Sequence, residues 1–364
     1  MTLELMPSIP GGALLEGCDH ERLELVQDPA TGLRAVIAIH STALGPAVGG
    51  LRIQPYADLD AAIRDALRLS FAMSLKNAAA DLQLGGGKAV IVDDGLANGR
   101  RARLLAFADA LQRLGGAYLT AEDIGTTPAD MDLMATRTDY VLGRSPESGG
   151  SGDPSPVTAL TVLGAVRAGV RARLGLPGLA GVRVGVIGVG KVGAALARLL
   201  AQAGAQLVLA DADAARAKSL GAELDAPAMT PGQLLREPLD VLAPCATGEM
   251  IDARLAAELP CRVVAGAANN PLVDDRTAAV LHERGVLYVP DFLANCGGMV
   301  SIAAEYRGEG AAFVEERIGA AADRLRAVLD EAGRDERMPL EVAREHALHA
   351  IAAGGGRLTN QGEC

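Results

Sequence analysis

The chain has 364 residues, which at about 150 residues per domain predicts two domains. Hydrophobic residues make up 49% of it and charged residues 22%, a globular composition that excludes a disordered chain. The net charge of −11, with 2% aromatic residues and no Trp, argues against nucleic acid and an anionic membrane surface as partners, because both require a basic face.

Targeting and metal-binding patterns do not stand out in the sequence. We see no basic segment followed by an apolar stretch at the start and no run of about 18 apolar residues, so we expect a cytoplasmic protein without a membrane span. The five cysteines show no CxxC-like spacing. We therefore expect no metal site.

The first part of the chain mixes strands and helices. Apolar residues recur every four positions from Leu59 to Leu75, which indicates a helix. In chain order, the predicted elements are a hairpin over 21–40, a loop of small residues over 41–52, a helix over 58–76, a glycine triplet at 85–87 leading into a strand over 89–92, a helix over 101–114 and a strand over 118–121.

The stretch 143–156 is dense in Gly, Ser and Pro and is the best candidate for an interdomain hinge. The predicted elements after it are a helix over 158–174, strands over 182–187 and 206–210 around a helix over 194–203, short strands at 241–243, 263–265 and 287–289, and helices only from 311 to 352. This alternation is typical of a parallel, doubly wound α/β sheet.

A GxGxxG motif lies between the strand ending at residue 187 and the following helix. The first glycine permits the tight turn, the second lets the backbone approach a pyrophosphate, and the third lets helix and strand pack closely. Asp211 ends the next strand, where it can accept hydrogen bonds from a ribose 2′-hydroxyl and would repel a 2′-phosphate. The motif therefore predicts NAD bound at Gly188, Gly190, Lys191, Val192, Gly193 and Asp211.

Two lysines and one aspartate are candidates for acid–base chemistry. Lys88 follows the glycine triplet, and glycines beside a lysine allow a substrate to approach and desolvate the amine. Lys76 ends the predicted helix, and Asp123 follows a strand. Position alone leaves other interpretations open: a helix-terminal cation for Lys76, an exposed turn residue for Lys88, and an N-cap or loop salt bridge for Asp123.

Together these segments resemble the Glu/Leu/Phe/Val amino acid dehydrogenase family, on its leucine/valine/phenylalanine branch. The resemblance spans about residues 20–345. It rests on IAIHSTALGPAVGG at 37–50, LKNAAADLQLGGGKAVI at 75–91, TAEDIGTTPADMD at 120–132, GRSPESGGSGD at 143–153, GVGKVG at 188–193, APCATGEMI at 243–251, VAGAANN at 264–270 and YVPDFLANCGGMV at 288–300.

The resemblance implies an N-terminal α/β substrate-binding and oligomerisation domain over 1–145, joined by the C-terminal helices of about 330–364. A cleft would separate it from a Rossmann-like NAD-binding domain over 146–329, and a homo-oligomer is expected. Implied roles are a general base for Lys88, proton transfer for Asp123, and carboxylate binding for Lys76. Further implied contacts lie at Gly49 and Gly50 (substrate), Asn269 (substrate amine), and Asn270 and Thr158 (nicotinamide).

The implied reaction is NAD-dependent, reversible oxidative deamination of an apolar L-amino acid to a 2-oxo acid and ammonia. Candidate pocket residues by motif position are Val48, Leu51, Leu75, Ala121, Met299 and Ile302, and core packing is the other interpretation of each. Since none carries a positive charge for a distal carboxylate, glutamate is disfavoured. Branched-chain substrates are favoured over phenylalanine. The chain departs from the family pattern at Leu51 and Cys296, and a catalytically idle NAD-binding homologue and an imine-condensing synthase remain alternatives.

Overall fold

The computed structural model describes residues 18–93, 95, 99–246 and 248–355. The chain divides into two compact units. The first contains the chain up to Ala78, Gln83–Gly152 and the chain from Leu348 onward, and the second contains Ala79–Leu82 and Asp153–Ala347. Among the helices in the described ranges, none is both long and apolar enough to cross a membrane.

The first unit is built on a five-stranded mixed sheet in the order β1-β2-β4-β3-β5. Strands β1 and β2 form the predicted antiparallel hairpin, and β2 is also antiparallel to β4. Strand β3 lies parallel to both β4 and β5. The strands are β1 (Arg22–Asp28), β2 (Leu33–Ser41), β3 (Ala47–Gln54), β4 (Gly85–Val92) and β5 (Tyr118–Glu122).

Two sequence predictions in this sheet are wrong, both in glycine-rich segments. The stretch 41–52 was expected to be a loop, but Ala47–Gln54 forms the buried strand β3 between β4 and β5. The glycine triplet is not a turn before β4 but its first three residues. Glycine in a strand allows other groups to approach closely. A Cβ on Gly86 would overlap Ser74, and one on Gly87 would come within 2.6 Å of the Tyr118 ring.

Helices cover both faces of the first sheet. Helix α1 (Leu59–Ala79) packs through Ala62, Ile63, Ala66 and Leu67 against Val36, Ala38 and Val90. Helices α2 (Arg100–Leu114) and α3 (Pro128–Ala135) supply Leu104, Phe107, Leu111, Met131 and Met134 to the other core, which contains Leu51, Ala89 and Tyr118. Each fully buried Leu or Phe stabilises the fold by about 1.5–3 kcal/mol.

The second unit contains the predicted parallel sheet, with six strands in the order β11-β10-β9-β6-β7-β8. The order reverses direction between β6 and β9, and ligands of such sheets bind at this switch point. The strands are β6 (Arg183–Ile187), β7 (Gln206–Ala210), β8 (Ala228–Met229), β9 (Val241–Pro244), β10 (Val263–Val264) and β11 (Leu287–Tyr288).

Helices precede, separate and follow these strands, as the sequence pattern predicts. They are α4 (Ser155–Leu174), α5 (Lys191–Gln202), α6 (Ala214–Leu224), α7 (Pro231–Leu234), α8 (Ala253–Glu258), α9 (Asp275–Glu283), α10 (Asp291–Ala294), α11 (Gly297–Arg307), α12 (Ala311–Arg334) and α13 (Pro339–Ala353).

Three arginines from α11 and α12 hold the short segment 79–82, which begins at the last residue of α1. Arg307 donates to the Leu82 carbonyl at 2.9 Å. Arg324 donates to the Asp81 carboxylate at 2.6 Å and to the Ala79 carbonyl at 3.3 Å. Arg317 also contacts Asp81. The segment is therefore an integral part of the second unit.

Candidate active site

A buried ion pair joins the two residues proposed from the sequence as acid–base groups. Lys88 lies in the middle of β4, and Asp123 is the first residue after β5. Their side chains meet at 2.6 Å between Lys88 Nζ and Asp123 Oδ2. The lysine side chain is 6% exposed and the aspartate side chain 20%. Strand β3 lies between β4 and β5, so the pair spans the sheet across it.

A second cation, Arg52, contacts the same carboxylate. Its Nε donates to Asp123 Oδ2 at 3.1 Å. Burial by itself would raise the pKa of Asp123, but Lys88 and Arg52 outweigh it and lower the pKa to about 2. The carboxylate is thus ionised at any neutral pH. The backbone is also fixed, because the Asp123 N–H donates to Thr126 Oγ1 at 2.8 Å.

Gly50 on β3 leaves the space in which Lys88 and Asp123 meet. A Cβ at this position would come within 2.6 Å of Asp123 Cβ and 3.2 Å of Lys88 Nζ. It would also come within 2.9 Å of the Glu122 carbonyl oxygen, which is backbone and cannot rotate away. Any side chain at residue 50 would therefore displace the ion pair.

Tyr118 holds the backbone of the two glycines on β3. Its hydroxyl donates to the carbonyl oxygens of Gly49 at 2.9 Å and Gly50 at 3.3 Å. Burial raises the pKa of Tyr118, so the hydroxyl keeps its proton and remains a donor. A Cβ on Gly49 would overlap the Gly87 carbonyl. Both predicted glycine positions therefore depend on close backbone packing.

Lys76 lies half-buried in the last turn of α1, which continues to Ala79 rather than ending at Lys76. The next residue, Asn77, is fully buried, and its amide donates to the Gly85 carbonyl at 2.5 Å. This bond ties the end of the helix that carries Lys76 to the start of the strand that carries Lys88.

The six candidate pocket residues belong to different elements of the two units. Val48 pairs with Leu119, and Ala121 pairs with Gly50, so both lie on strands next to the ion pair. Leu51 packs in the core beneath α2, with Ala89 and Tyr118, because side chains alternate along β3 and the Lys88 side chain belongs to the other face. Leu75 is buried in α1, and Met299 and Ile302 are buried in α11 of the second unit.

In the second unit, the GxGxxG turn has the geometry that dinucleotide binding requires. Gly188 has φ +89°, and a Cβ there would meet Ala246 N at 2.7 Å. A Cβ on Gly193 would overlap the Gly188 carbonyl, so this glycine permits the close packing of α5. By contrast, a Cβ on Gly190 would meet nothing within 4 Å. The open space lies at the N-terminus of α5, where backbone N–H groups attract anions.

Asp211 fixes this turn from the end of β7. Its Oδ2 accepts the Val189 N–H at 2.7 Å, and its Oδ1 accepts the Asp213 N–H at 2.8 Å. Arg216 also lies 3.6 Å from Oδ1. Lys191 is exposed and lies 3.5 Å from Asp153, and Val192 is half-buried beside it at the start of α5.

The remaining predicted cofactor residues lie at the carboxyl ends of the strands or at the start of α4. Asn270 donates its N–H to Asp291 Oδ2 at 2.6 Å. The buried Asn295 amide donates to the Ala267 carbonyl and to Asn269 Oδ1, both at 3.1 Å, and so orients the exposed Asn269 side chain. Thr158 donates to the Pro154 carbonyl, and a Cβ on Gly298 would lie 3.4 Å from Thr158 Oγ1.

Comparison with known proteins identifies the family. The family model described as Glu/Leu/Phe/Val dehydrogenase, dimerisation domain, matches residues 20–140, and that described as Glutamate/Leucine/Phenylalanine/Valine dehydrogenase matches residues 214–328. Leucine dehydrogenase from Bacillus subtilis (strain 168) is 41% identical over 321 residues, 88% of either chain. The chain belongs to the Glu/Leu/Phe/Val dehydrogenase family.

This Glu/Leu/Phe/Val dehydrogenase is also 46% identical over 292 residues to valine dehydrogenase from Streptomyces virginiae, covering 79% of this chain and 82% of the relative. L-tryptophan dehydrogenase from Nostoc punctiforme shares its structure with a TM-score of 0.82 at 31% identity, over 94% of this chain and 99% of the other. A third family model, NADP oxidoreductase coenzyme F420-dependent, matches residues 183–244 and implies a nicotinamide cofactor there. The predicted family, branch and two-domain α/β fold are confirmed.

Sequence reasoning missed several residues of this dehydrogenase that support the site. Neither the contact of Arg52 with Asp123 nor the support that Asn295 gives to Asn269 is among the sequence predictions. Had β3 been predicted as a strand, the alternation of side chains would have placed Arg52 on the face of Gly50. Asp65 and Tyr56, which lie behind Arg52, gave no signal in the sequence.

Proposed function

We propose that this protein is an NAD-dependent amino acid dehydrogenase that reversibly deaminates branched-chain L-amino acids to 2-oxo acids and ammonia. The observation that carries the proposal is the buried Lys88–Asp123 pair, 2.6 Å apart, on a chain 41% identical to a leucine dehydrogenase. An idle homologue has no use for a buried lysine and carboxylate held this tightly, since burial of charge is costly.

The second unit fits a dinucleotide. The open space at Gly190 and the N-terminus of α5 suit a pyrophosphate, and the Asp211 carboxylate suits a ribose 2′-hydroxyl. We infer NAD rather than NADP, because Asp211 would repel a 2′-phosphate. When bound, NAD accepts the hydride from the substrate Cα. We assign Gly188, Gly190, Lys191, Val192, Gly193 and Asp211 to this role, with Thr158 and Asn270 at the nicotinamide.

The first unit supplies the acid–base groups. Lys76 is assigned to the substrate carboxylate, as a cation in the last turn of α1. Lys88, once it has given up its proton, takes one from the water that adds to the imine carbon. Asp123 holds Lys88 in place and stabilises its protonated form during the breakdown of the carbinolamine to 2-oxo acid and ammonia. The Gly49 and Gly50 backbone and the Asn269 side chain are assigned to the substrate.

The identity of the side-chain pocket rests on relatives. Leucine and valine dehydrogenases are 41% and 46% identical to this chain, which supports branched-chain substrates. Among the predicted pocket residues we retain Val48, Ala121, Leu75, Met299 and Ile302. Leu51 packs on the other face of the sheet and is left out. The structural neighbour from Nostoc punctiforme is an L-tryptophan dehydrogenase, so an aromatic substrate such as phenylalanine is the second candidate.

The division of labour between the units is part of the proposal. The first unit would bind the substrate and form a homo-oligomer, since residues 20–140 match the family's dimerisation domain. The second unit would bind NAD. In contrast to the sequence prediction that all C-terminal helices from about 330 join the first domain, the first unit takes the chain only from Leu348.

The direct test follows NADH absorbance after purified protein is mixed with NAD and each member of a panel of L-amino acids, with NADP as the control cofactor. We expect turnover of Leu, Val and Ile to exceed that of Phe and Trp by at least tenfold, as about 1–3 kcal/mol per methyl-sized difference allows. Faster turnover of Phe or Trp would keep the reaction and reject the branched-chain assignment.

Lys88→Ala separates catalysis from cofactor binding. We expect kcat to fall by about 10²–10⁴-fold, the usual contribution of a general base, while NADH binding measured by its fluorescence stays unchanged. A wild-type protein that binds NAD but turns over no amino acid would instead support the idle homologue. A product other than ammonia and the 2-oxo acid would support the imine-condensing synthase.

A further inference from the structure

Behind the Lys88–Asp123 pair lies a second layer of charged and polar groups within the first unit. Arg52 uses Nε to contact Asp123 Oδ2 at 3.1 Å and Nη1 to contact Asp65 Oδ2 at 3.0 Å. The arginine and Asp65 side chains are each 13% exposed. One guanidinium thus bridges two carboxylates, one after β5 and one on α1.

Asp65 is itself held from two further directions. The Tyr56 hydroxyl, just after β3, donates to Asp65 Oδ2 at 2.8 Å. Arg68 on α1 donates to Asp65 Oδ1 at 3.1 Å from a side chain that is 42% exposed. The chain of contacts therefore runs from α1 through Arg52 to Asp123 and ends at Lys88. A planar guanidinium with several fixed donors suits such a bridge, whereas a lysine ammonium cannot reproduce its fork.

Two cations share one oxygen of Asp123, which sets the balance of charge around Lys88. Arg52 attracts the carboxylate that Lys88 also attracts, and its positive charge opposes a second positive charge nearby. The Asp123 carboxylate stabilises the Lys88 ammonium, whereas the nearby guanidinium acts on it with the opposite sign, so the position of Asp123 between the two cations decides the balance. We propose that Arg52, backed by Asp65, is a positioning residue that holds Asp123 against Lys88 and sets the pH at which the pair becomes active. This rests on the proposed dehydrogenase reaction.

Arg52 contacts Asp123 after β5 and Asp65 on α1 directly. The other charged or titratable members of the network contact one of these two carboxylates: Lys88 on β4, Tyr56 after β3 and Arg68 on α1. Because Arg52 is positive and Asp65 is negative, Arg52→Gln and Asp65→Asn are expected to shift the pH–rate profile in opposite directions. Arg52→Gln removes a positive charge, so the ascending limb of log kcat/KM against pH should move to higher pH. Asp65→Asn keeps the shape but removes a negative charge, so the limb should move to lower pH.

The test compares pH–rate profiles of wild type, Arg52→Gln, Arg52→Lys and Asp65→Asn, with Arg68→Gln as the matched control. Arg68 contacts the same Asp65 carboxylate, through Oδ1, from a side chain that is 42% exposed. We expect kcat to fall by about tenfold or more in Arg52→Gln with KM changed far less, since a displacement near 1 Å costs about 10²-fold. Arg52→Lys should restore the pH limb but not the full kcat, and Arg68→Gln should stay within about twofold.

Limbs that move in the same direction in Arg52→Gln and Asp65→Asn, or not at all, would overturn the proposal. A loss in Arg68→Gln equal to that in Arg52→Gln would also overturn it, since that would be a general effect on stability. If thermal melting shows that Arg52→Gln does not fold, Asp65→Asn and Arg52→Lys test the proposal in its place.

A crystal structure of Arg52→Gln or Arg52→Lys tests the positioning role of Arg52 independently of any activity measurement. The carboxylate of Asp123 should leave the position at which it meets Lys88 at 2.6 Å. An unchanged pair would refute the positioning role whatever the enzyme's substrate is. Conversely, wild-type protein that is inactive on every amino acid would refute the proposed function alone.

Discussion

The glycine at position 50 provides a direct test of the geometry around the ion pair, through Gly50→Ala. The added methyl group would sit 2.6 Å from Asp123 Cβ, 2.9 Å from the Glu122 carbonyl oxygen and 3.2 Å from Lys88 Nζ. Ordinary contacts between carbon atoms lie at about 3.5–4.0 Å. The Asp123 side chain would therefore have to retreat by about 1 Å. The Glu122 carbonyl oxygen, which belongs to the backbone, would have to move as well.

The magnitude follows from that displacement. Overpacking of this kind costs about 1–3 kcal/mol of the free energy of unfolding. A shift near 1 Å in a catalytic group costs about 10²-fold in rate. We therefore expect a moderate loss of stability and a much larger loss of kcat, because the strain falls on Lys88 and Asp123, the two groups to which we assign the acid–base chemistry.

The assay measures kcat and KM by NADH absorbance with leucine, and the free energy of unfolding by urea titration. Gly333→Ala is the matched control: residue 333 lies in α12, and a Cβ there meets nothing within 4 Å. That variant should keep its activity and gain up to about 1 kcal/mol, as alanine favours helix over glycine. A Gly50→Ala enzyme with kcat within about threefold of wild type would refute the reasoning.

Three further predictions concern charges and amides of the two units. The pKa of Asp123 is about 2, below its ordinary 3.8, so its ion pairs stabilise the fold above about pH 4 and are lost as the pH falls towards 2. The difference in the free energy of unfolding between wild type and Asp123→Asn should therefore shrink by roughly 2 kcal/mol between pH 5 and pH 2. A difference that stays constant over this range in urea unfolding would contradict the prediction. Asp211→Ala removes the acceptor of the Val189 N–H, so NADH affinity by fluorescence should fall about tenfold and the preference over NADPH should narrow; an unaltered preference would count against the ribose assignment. Asn295→Ala removes the donor to Asn269 Oδ1, so kcat/KM for leucine should fall about tenfold; a change under twofold would show that Asn269 needs no such support.

Much of the fold is readable from local patterns in the sequence. The strand, glycine turn and helix around Gly188–Gly193 follow from periodicity and from the three different demands on the glycines. Helix α5 begins at Lys191 rather than at residue 194 because the turn feeds directly into it. Strand β3 could not be predicted, since Ala47-Val48-Gly49-Gly50 lacks β-branched alternation and is held as a strand by the neighbours β4 and β5.

The candidate site is likewise only partly predictable from the sequence. Lys88 and Asp123 were proposed from chemistry and motif context, and the distance between them is a property of the three-dimensional fold. The contacts of Arg52 with Asp65 and Asp123 join residues 13 and 71 positions apart, which no local pattern reveals. The same holds for Leu51, whose place in the core beneath α2 depends on the strand that the sequence did not predict.

The segment 79–82 limits how this enzyme can be taken apart or recombined. A fragment starting at Asp153 would carry Arg307, Arg317 and Arg324 but lack the carbonyls and the carboxylate that they bind. A chimera that exchanges the dinucleotide-binding part through one crossover near Gly152 would mismatch these partners in the same way. Any exchange of the second unit therefore has to include residues 79–82, which lie between Lys76 and Lys88 in the chain. These four residues have to be transferred together with α11 and α12, whose arginines bind them.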